Sequence, residues 1–453
     1  MDTGYTQQPD TSSVRKDGTR VVGKIDFPPP GSGGSRPFSS PVDPEFLPAS
    51  RGGQETAKAP HAQDQDRTGS AVGRRTPLVD SRHKVTGQAW YGDDVRLPGE
   101  LIGKILRSDR HHARIISVDT SAAETMPGVI AVATGAGYPQ HFGVLPVTKD
   151  ETAMAIDKVR HIGDLVACVA AVDEATAIDA LHRIVVEYED LDEVLNPSAS
   201  LSDVDEPIHD RGRYHIGSSN IQKRVYQSFG DSEARDAIIV RKGGKWIFEG
   251  VTHAMTEPHA VVAHWDPTGR LQLYTPQQVP HYVHRALSAV LKVPMHQINV
   301  IRTFVGGGFG GKTVVYLEPV ALSLSNKAGS PIKMVMSREE VFRASGPTSG
   351  AKIWVKIGAK NDGTITAGQC ELKYQAGAFQ GSPVQPGAMC AFAPYDLENV
   401  EVIGYDVVSN RPKVAAYRAP GAPISEFGVD KAQNSLRSYI SHFPIFVFSA
   451  QRC

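Results

Sequence analysis

A chain of 453 residues has room for two or three domains, each with a core of its own. Its 48 basic and 49 acidic residues leave a formal charge of −1, which excludes the basic field that recruits nucleic acid or anionic lipid. The four cysteines (Cys168, Cys370, Cys390 and Cys453) form no CxxC pair and no zinc or iron–sulfur spacing, which fits a reducing, cytoplasmic setting.

Residues 1–72 read as a disordered polar tail, with Pro28-Pro29-Pro30 and Gly31-Ser32-Gly33-Gly34 among few large apolar residues. The first ten residues lack the apolar core of a signal peptide. No apolar stretch approaches the ~18 residues that a bilayer span needs, the run from Phe443 to Phe448 included.

Residues 73–195 alternate short strands and helices, an α/β domain. Strands are expected from Leu101 to Leu106, Ile115 to Val118, Val129 to Ala133, Leu165 to Val172 and Ile184 to Tyr188. The run from Leu165 is apolar almost throughout, as in a strand covered on both faces. Helices are expected from Thr120 to Met126 and, capped by Asp173, from Glu174 to His182. Residues 196–245 are polar and turn-rich and read as a connector.

Residues 246–430 form a second, larger α/β domain. A hairpin joins Val261 to Trp265 with Leu271 to Tyr274 through Asp266-Pro267-Thr268-Gly269. A helix from His281 to Leu291 comes next, then a strand from Gln297 to Val305, a glycine loop, and a helix from Val314 to Lys327. Further strands are expected from Lys333 to Met336, Lys352 to Ile357 and Thr364 to Tyr374, the last two joined by Asn361-Asp362-Gly363.

The loop, Gly306-Gly307-Gly308-Phe309-Gly310-Gly311-Lys312-Thr313, is the strongest signal of a site. Five glycines around one phenylalanine allow unusual dihedrals and bring N–H groups close to a bound oxyanion or phosphate. The run satisfies the phosphate-loop pattern GxxxxGK[ST] and the dinucleotide pattern GxGxxG. The dinucleotide reading lacks a carboxylate about 20 residues on. The NTPase reading lacks a clear strand ending in a magnesium-binding Asp, Asp406 being the nearest. His253, Glu257 and His259 form HxxxExH, but the spacing is not that of a metalloprotease and Pro258 interrupts any helix, so no metal site is assigned.

Several motifs in order resemble one family, the molybdopterin-binding large subunits of the xanthine dehydrogenase and aldehyde oxidase group. They are Lys84-Val85-Thr86-Gly87-Gln88-Ala89; Leu106-Arg107-Ser108-Asp109-Arg110-His111-His112; Val159-Arg160-His161-Ile162-Gly163-Asp164; Glu257-Pro258; Pro276-Gln277-Gln278; the glycine loop; Ser337-Arg338-Glu339-Glu340; Gly377-Ala378-Phe379; and Tyr417-Arg418-Ala419-Pro420-Gly421. The likeness runs from about Gly73 to Val429 and is nearest the 4-hydroxybenzoyl-CoA reductase type.

The resemblance implies a hammerhead-like α/β domain at 73–195, followed by the first half of a molybdopterin-binding α/β domain at 246–430. The cofactor would be a molybdenum–molybdopterin dinucleotide, contacted by Gln278, Gly307, Gly308, Phe309 and Gly310. Gln278 would meet a molybdenum oxo group, Gln277 being the neighbour that could take its role. Arg418 would line the substrate pocket, and Lys312 would be a cation at a helix start near the cofactor. The reaction implied is hydroxylation or oxidation of an aldehyde, N-heterocycle or aromatic acyl-CoA. An iron–sulfur small subunit and an FAD-binding medium subunit would carry electrons away. Residues 431–453 look unlike the family's continuation, so the chain reads as truncated; the family's general-base glutamate lies beyond it and no catalytic residue is nominated. A P-loop NTPase using Gly306 to Thr313 and a non-catalytic pseudo-subunit are the alternatives.

Overall fold

Two stretches of chain far apart in sequence share one sheet. The computed structural model describes residues 77–143, 149–201, 206–209, 220–236, 242–360 and 363–439. The polar tail expected at 1–72 lies outside them. Numbered in chain order, the first sheet contains β1 (Leu101–Arg107), β3 (Val129–Thr134), β5 (Leu165–Ala171), β9 (Ala260–Trp265), β10 (Leu271–Thr275), β11 (Ile298–Arg302) and β12 (Ile332–Val335). Its order is β11-β10-β9-β12-β1-β5-β3. At the seam β1 runs parallel to β12, with Leu101 opposite Ile332 and Ile102 opposite Lys333. The segments 73–195 and 246–430 are therefore joined by backbone hydrogen bonds.

Residue pattern explains the layering. Along β5 the side chains alternate between two cores: Cys168 and Ala170 enter one, and Ala167, Val169 and Ala171 the other. The near-continuous apolar run is thus covered on both faces. Helix α3 (Glu174–Leu181) covers the second face through Ala177 and Ala180, and Asp173 caps it by accepting from Thr176 N at 2.8 Å. The other face packs against α5 (Pro280–Leu291) and α6 (Glu318–Ala328) through Val283, Leu287, Val320 and Leu324. The short helix α2 (Ser121–Glu124) is not capped as expected: Thr120 Oγ1 bonds Glu124, and Asp119 accepts from Ser121 N instead.

A second sheet has the order β7-β15-β14-β13-β8, from β7 (Ile221–Phe229), β8 (Lys242–Phe248), β13 (Ala351–Ala359), β14 (Ile365–Gly377) and β15 (Asn399–Val408). Helices α8 (Val384–Cys390) and α9 (Ala422–Tyr439) cover it through Val384, Ala388, Ile424 and Val429. The stretch 196–245, expected to be a connector, supplies the edge strand β7 and the first residues of β8. Its alternating polar residues are those of a half-exposed edge, which composition alone does not separate from a loop. Helix α9 continues past Asp430 to Tyr439, so the first part of 431–453 is helical; 440–453 lie outside the described residues. A third sheet, β4-β2-β6, is formed by β2 (Ala113–Asp119), β4 (Lys158–Val159) and β6 (Val185–Asp190).

Ion pairs reinforce the seam. Arg107 Nε meets Glu340 Oε1 at 2.9 Å on α7 (Arg338–Ala344), and Lys413 pairs with Glu151. Next to the latter, Asp150 accepts from the backbone N–H of Gln380 at 3.0 Å, while its other oxygen has no partner among the described residues. Burial pushes the Asp150 carboxyl up to about 7, against the opposing pull of Lys413. Because the folded pKa lies above the unfolded one, this group's contribution is fully present only below about pH 4 and is lost as pH rises from there through 7. Asp150→Asn, which keeps the bond to Gln380 N, is expected to melt higher than the parent at pH 8 by roughly 2–4 °C and to lose that advantage as pH falls below about 4; thermal melts across this range check this.

Candidate functional site

The glycine loop leaves the end of β11 and crosses the rim of the first sheet. Gly307, Phe309 and Gly310 have φ of 99°, 52° and 102°, all left-handed. A phenylalanine held there, with its ring about half exposed (51%), is strained in a way that marks functional loops. Two close approaches involve glycine: at Gly310 the neighbour is backbone, and at Gly308 it is the end of the Gln278 side chain, which a Cβ would push off the loop. A Cβ on Gly308 would lie 2.5 Å from Gln278 Oε1, and one on Gly310 would lie 2.2 Å from the Ala416 carbonyl oxygen.

Two side chains hold the loop at its ends. The Glu257 carboxylate accepts from Gly306 N at 2.6 Å, from Gly92 N at 3.0 Å and from Lys312 Nζ at 2.7 Å. Gln278 Oε1 accepts from Gly310 N at 3.0 Å and Lys312 N at 3.3 Å, and Gln278 N donates to Lys312 O. Between these anchors the N–H groups of Gly307, Gly308 and Phe309 have no acceptor among the described residues. Three successive open amides form a donor-rich concavity that suits electron-rich oxygen or sulfur atoms of a bound group. A molybdopterin cofactor, whose metal carries such ligands, fits this donor set.

Gln278 is exposed, and with Oε1 committed to the loop its Nε2 is the end left to donate outward. Gln277 is buried under the loop, where Nε2 donates to Val314 O and to Glu318, so it cannot exchange roles with its neighbour. Arg418 is also exposed, and its backbone N–H donates to Phe309 O at 2.9 Å. The structure therefore brings Gln278, residues 307–310 and Arg418 onto one rim.

Lys312 is where the expectation fails. It is fully buried and ion-paired to Glu257, in a single 3₁₀ turn, Gly311–Thr313, and α6 begins only at Glu318. Burial lowers its pKa, which the Glu257 carboxylate opposes. Among the described residues no helix N-terminus meets the loop, and the Lys312 side chain is buried against Glu257. A phosphate-binding lysine cannot do both, so the NTPase reading is set aside. Asp406 likewise serves structure, accepting from Gly381 N and Ser382 N in a buried position.

The HxxxExH residues diverge. His253 donates from Nε2 to Ala416 O at 2.7 Å and packs on Tyr417, ring centroids 4.8 Å apart, while His259 packs on Tyr316 at 4.7 Å. Burial lowers the pKa of both, that of His259 to about 3 with the charge of Lys312 as a further cause, so both are neutral near pH 7. Among the described residues no group of three or more His, Cys, Asp or Glu could hold a metal ion. Sequence reading missed Glu257 and His253 as loop supports, although Glu257-Pro258 was among the motifs; their partners lie between 49 and 165 residues away.

Comparisons with known proteins agree with this geometry. The family described as "Molybdopterin cofactor-binding domain" matches residues 216–436, and "Aldehyde oxidase and xanthine dehydrogenase, a/b hammerhead domain" matches 86–192. The nicotinate dehydrogenase large molybdopterin subunit of Eubacterium barkeri is 31% identical over 381 residues, covering 83% of this chain and 87% of that protein. The chain belongs to the molybdopterin-binding large subunits of the xanthine dehydrogenase and aldehyde oxidase family. The xanthine dehydrogenase molybdenum-binding subunit of Escherichia coli O157:H7 is 30% identical over 382 residues, 81% of this chain and 50% of that one. A solved Cu,Mo-CO dehydrogenase in its carbon monoxide reduced state matches with a TM-score of 0.76 and 27% identity, covering 84% of this chain and 51% of that one. The chain thus spans about half the length of several relatives but most of the nicotinate dehydrogenase subunit. The family match to residue 436 also corrects the expected end of the likeness near Val429.

For Lys312 two outcomes are expected. Titration calorimetry with ATP and Mg²⁺ should show no binding to the parent chain. Lys312→Ala should cost about 3–5 kcal/mol in denaturant unfolding, because it leaves the Glu257 carboxylate buried without its cation.

Proposed function

We propose that this chain forms the first part of a molybdenum–molybdopterin site in an oxidoreductase that hydroxylates or oxidises an electrophilic carbon. The substrate would be a small molecule: an aldehyde, an N-heterocycle or an aromatic acyl thioester. The observation that carries the reading is the row of three open amides, Gly307 to Phe309, bracketed by Glu257 and Gln278. When bound, the cofactor would supply two-electron oxidation of carbon, which no protein side chain provides.

The chain's own residues would do the rest. The amides of Gly307, Gly308 and Phe309 would hold the metal's electron-rich ligand atoms, and Gln278 Nε2 would donate to an oxo oxygen without protonating it. Arg418, a permanent cation with a planar fork of donors, would orient the substrate and favour negative charge developing on it. The hydrogen bond from its backbone N–H to Phe309 O would keep substrate and cofactor segments in register. The further pterin contacts and the general base would come from protein outside these 453 residues. Electrons would pass to an iron–sulfur small subunit and an FAD-binding medium subunit, in the cytoplasm; the three described cysteines are unpaired and do not cluster. Among the described residues no helix is long and apolar enough to cross a membrane.

Metal analysis tests the reading. Produced with its partner subunits in a host that makes the cofactor, the complex should carry stoichiometric molybdenum, whereas the chain alone should not. Gly308→Ala should lower cofactor affinity by roughly 10–100-fold. A complex of fully folded subunits without molybdenum would overturn the proposal. Arg418→Lys should keep the metal yet lower kcat/KM by roughly tenfold or more, since the ammonium loses the planar fork; steady-state kinetics on the loaded complex measure it.

A further inference from the structure

We infer that Glu257 is a positioning residue whose carboxylate sets the direction of the open amides in the glycine loop. The inference rests on the molybdopterin reading of that loop but concerns a residue that sequence reading left without a role.

The clamp is built from both ends of the glutamate. Glu257 Oε2 accepts both from Gly306 N at 2.6 Å and from Lys312 Nζ at 2.7 Å, and Oε1 accepts from Gly92 N at 3.0 Å. In return Glu257 N donates to Gly306 O at 3.1 Å, so residue 306 is clamped through both its backbone groups. The carboxylate itself is nearly buried, with its side chain 11% exposed, and that of Lys312 is 1% exposed. One anion therefore fastens three pieces of chain: the turn at Gly92, the start of the glycine loop and its end.

Residue 306 is the hinge point for the three open amides directly after it. Peptide planes are rigid, so an amide's direction is inherited from the plane before it through two dihedrals. With Gly306 N–H aimed inward at Glu257 and Gly310 N–H aimed at Gln278, the left-handed turns at Gly307 and Phe309 leave the three intervening N–H groups with no internal acceptor. Without the first clamp, a run of glycines has many conformations of similar energy. The donors would then have to be ordered by the ligand itself, and binding would weaken accordingly. A Cβ on Gly306 would lie 2.6 Å from Glu257 Cβ, so the approach of the two chains is as close as glycine permits.

Lys312 has the complementary part. Its ammonium neutralises the carboxylate in the interior, which lets a charged acceptor, stronger than a neutral one, be used at Gly306. Neutral His259 nearby adds no second cation.

The test uses Glu257→Gln, which keeps volume and one acceptor oxygen, and the double variant Glu257→Gln/Lys312→Met, which buries no lone charge. Should the single variant fail to fold, the double one decides. Hydrogen–deuterium exchange of the metal-free chain is measured across peptides covering 304–316, with the rest of the first sheet as internal control. Loaded complexes are then compared for molybdenum content and for the Mo(V) paramagnetic resonance spectrum. The expected result is exchange at least about tenfold faster in 306–312 alone, a lower molybdenum content, and a shifted Mo(V) signal in the fraction that still loads. Unchanged exchange in 306–312, or parental metal content and spectrum in a folded variant, would overturn the role given to Glu257. A parent complex that takes up no molybdenum would sink the reading of the site itself, while the exchange comparison would still decide whether Glu257 orders the loop.

Discussion

Three successive peptide N–H groups stay free for a ligand only where the backbone on either side of them is fixed firmly. Here the fixing is done by one nearly buried carboxylate and one exposed carboxamide. Glu257 draws Gly306 and Lys312 inward, and Gln278 draws Gly310 and Lys312 sideways. Everything attributed to the site depends on that bracket. Phe309 tolerates a left-handed φ because both sides of it are tied, and Arg418 takes its place from the carbonyl that Phe309 presents.

The bracket depends in turn on the sheets below it. Glu257 precedes β9, Gln278 comes after β10 and the loop after β11, and these three strands are adjacent in the first sheet. The support for the loop is thus assembled from strand ends that face one rim. Gly92, which shares the carboxylate, reaches it from the segment ahead of β1, on the far side of β12. His253 extends the same rim to Ala416 and Tyr417, so the segment carrying Arg418 moves with the loop.

Much of this was legible in the sequence, because local chemistry carries it. Alternation and apolar runs gave β5, β9, β10 and β13 to within a few residues, and Asp173 announced α3. The glycine run declared a site, and the ordered motifs named its family. What escaped depends on distant partners. A polar edge strand such as β7 looks like a connector until β15 lies beside it. Lys312 looks like a phosphate ligand until Glu257, 55 residues earlier, is seen to hold it. The helix behind the loop begins later than expected: Val314 and Val315 are buried in non-helical chain, and α6 begins only at Glu318. The residues of HxxxExH, whose spacing and Pro258 argued against a metal site, meet three different neighbours: Ala416, Gly306 and Tyr316.

The parallel seam between β1 and β12 has a consequence for how the protein comes into being. Leu101 meets Ile332, a partner that leaves the ribosome 231 residues later. At roughly 5–20 residues per second, the edge of β1 waits about 12–46 s for its neighbour. During that interval Leu101, Ile102 and the open backbone beside them form a sticky border on a half-built sheet. Slower translation between residues 107 and 332 would lengthen that interval, and the pairing of Leu101 with Ile332 closes it.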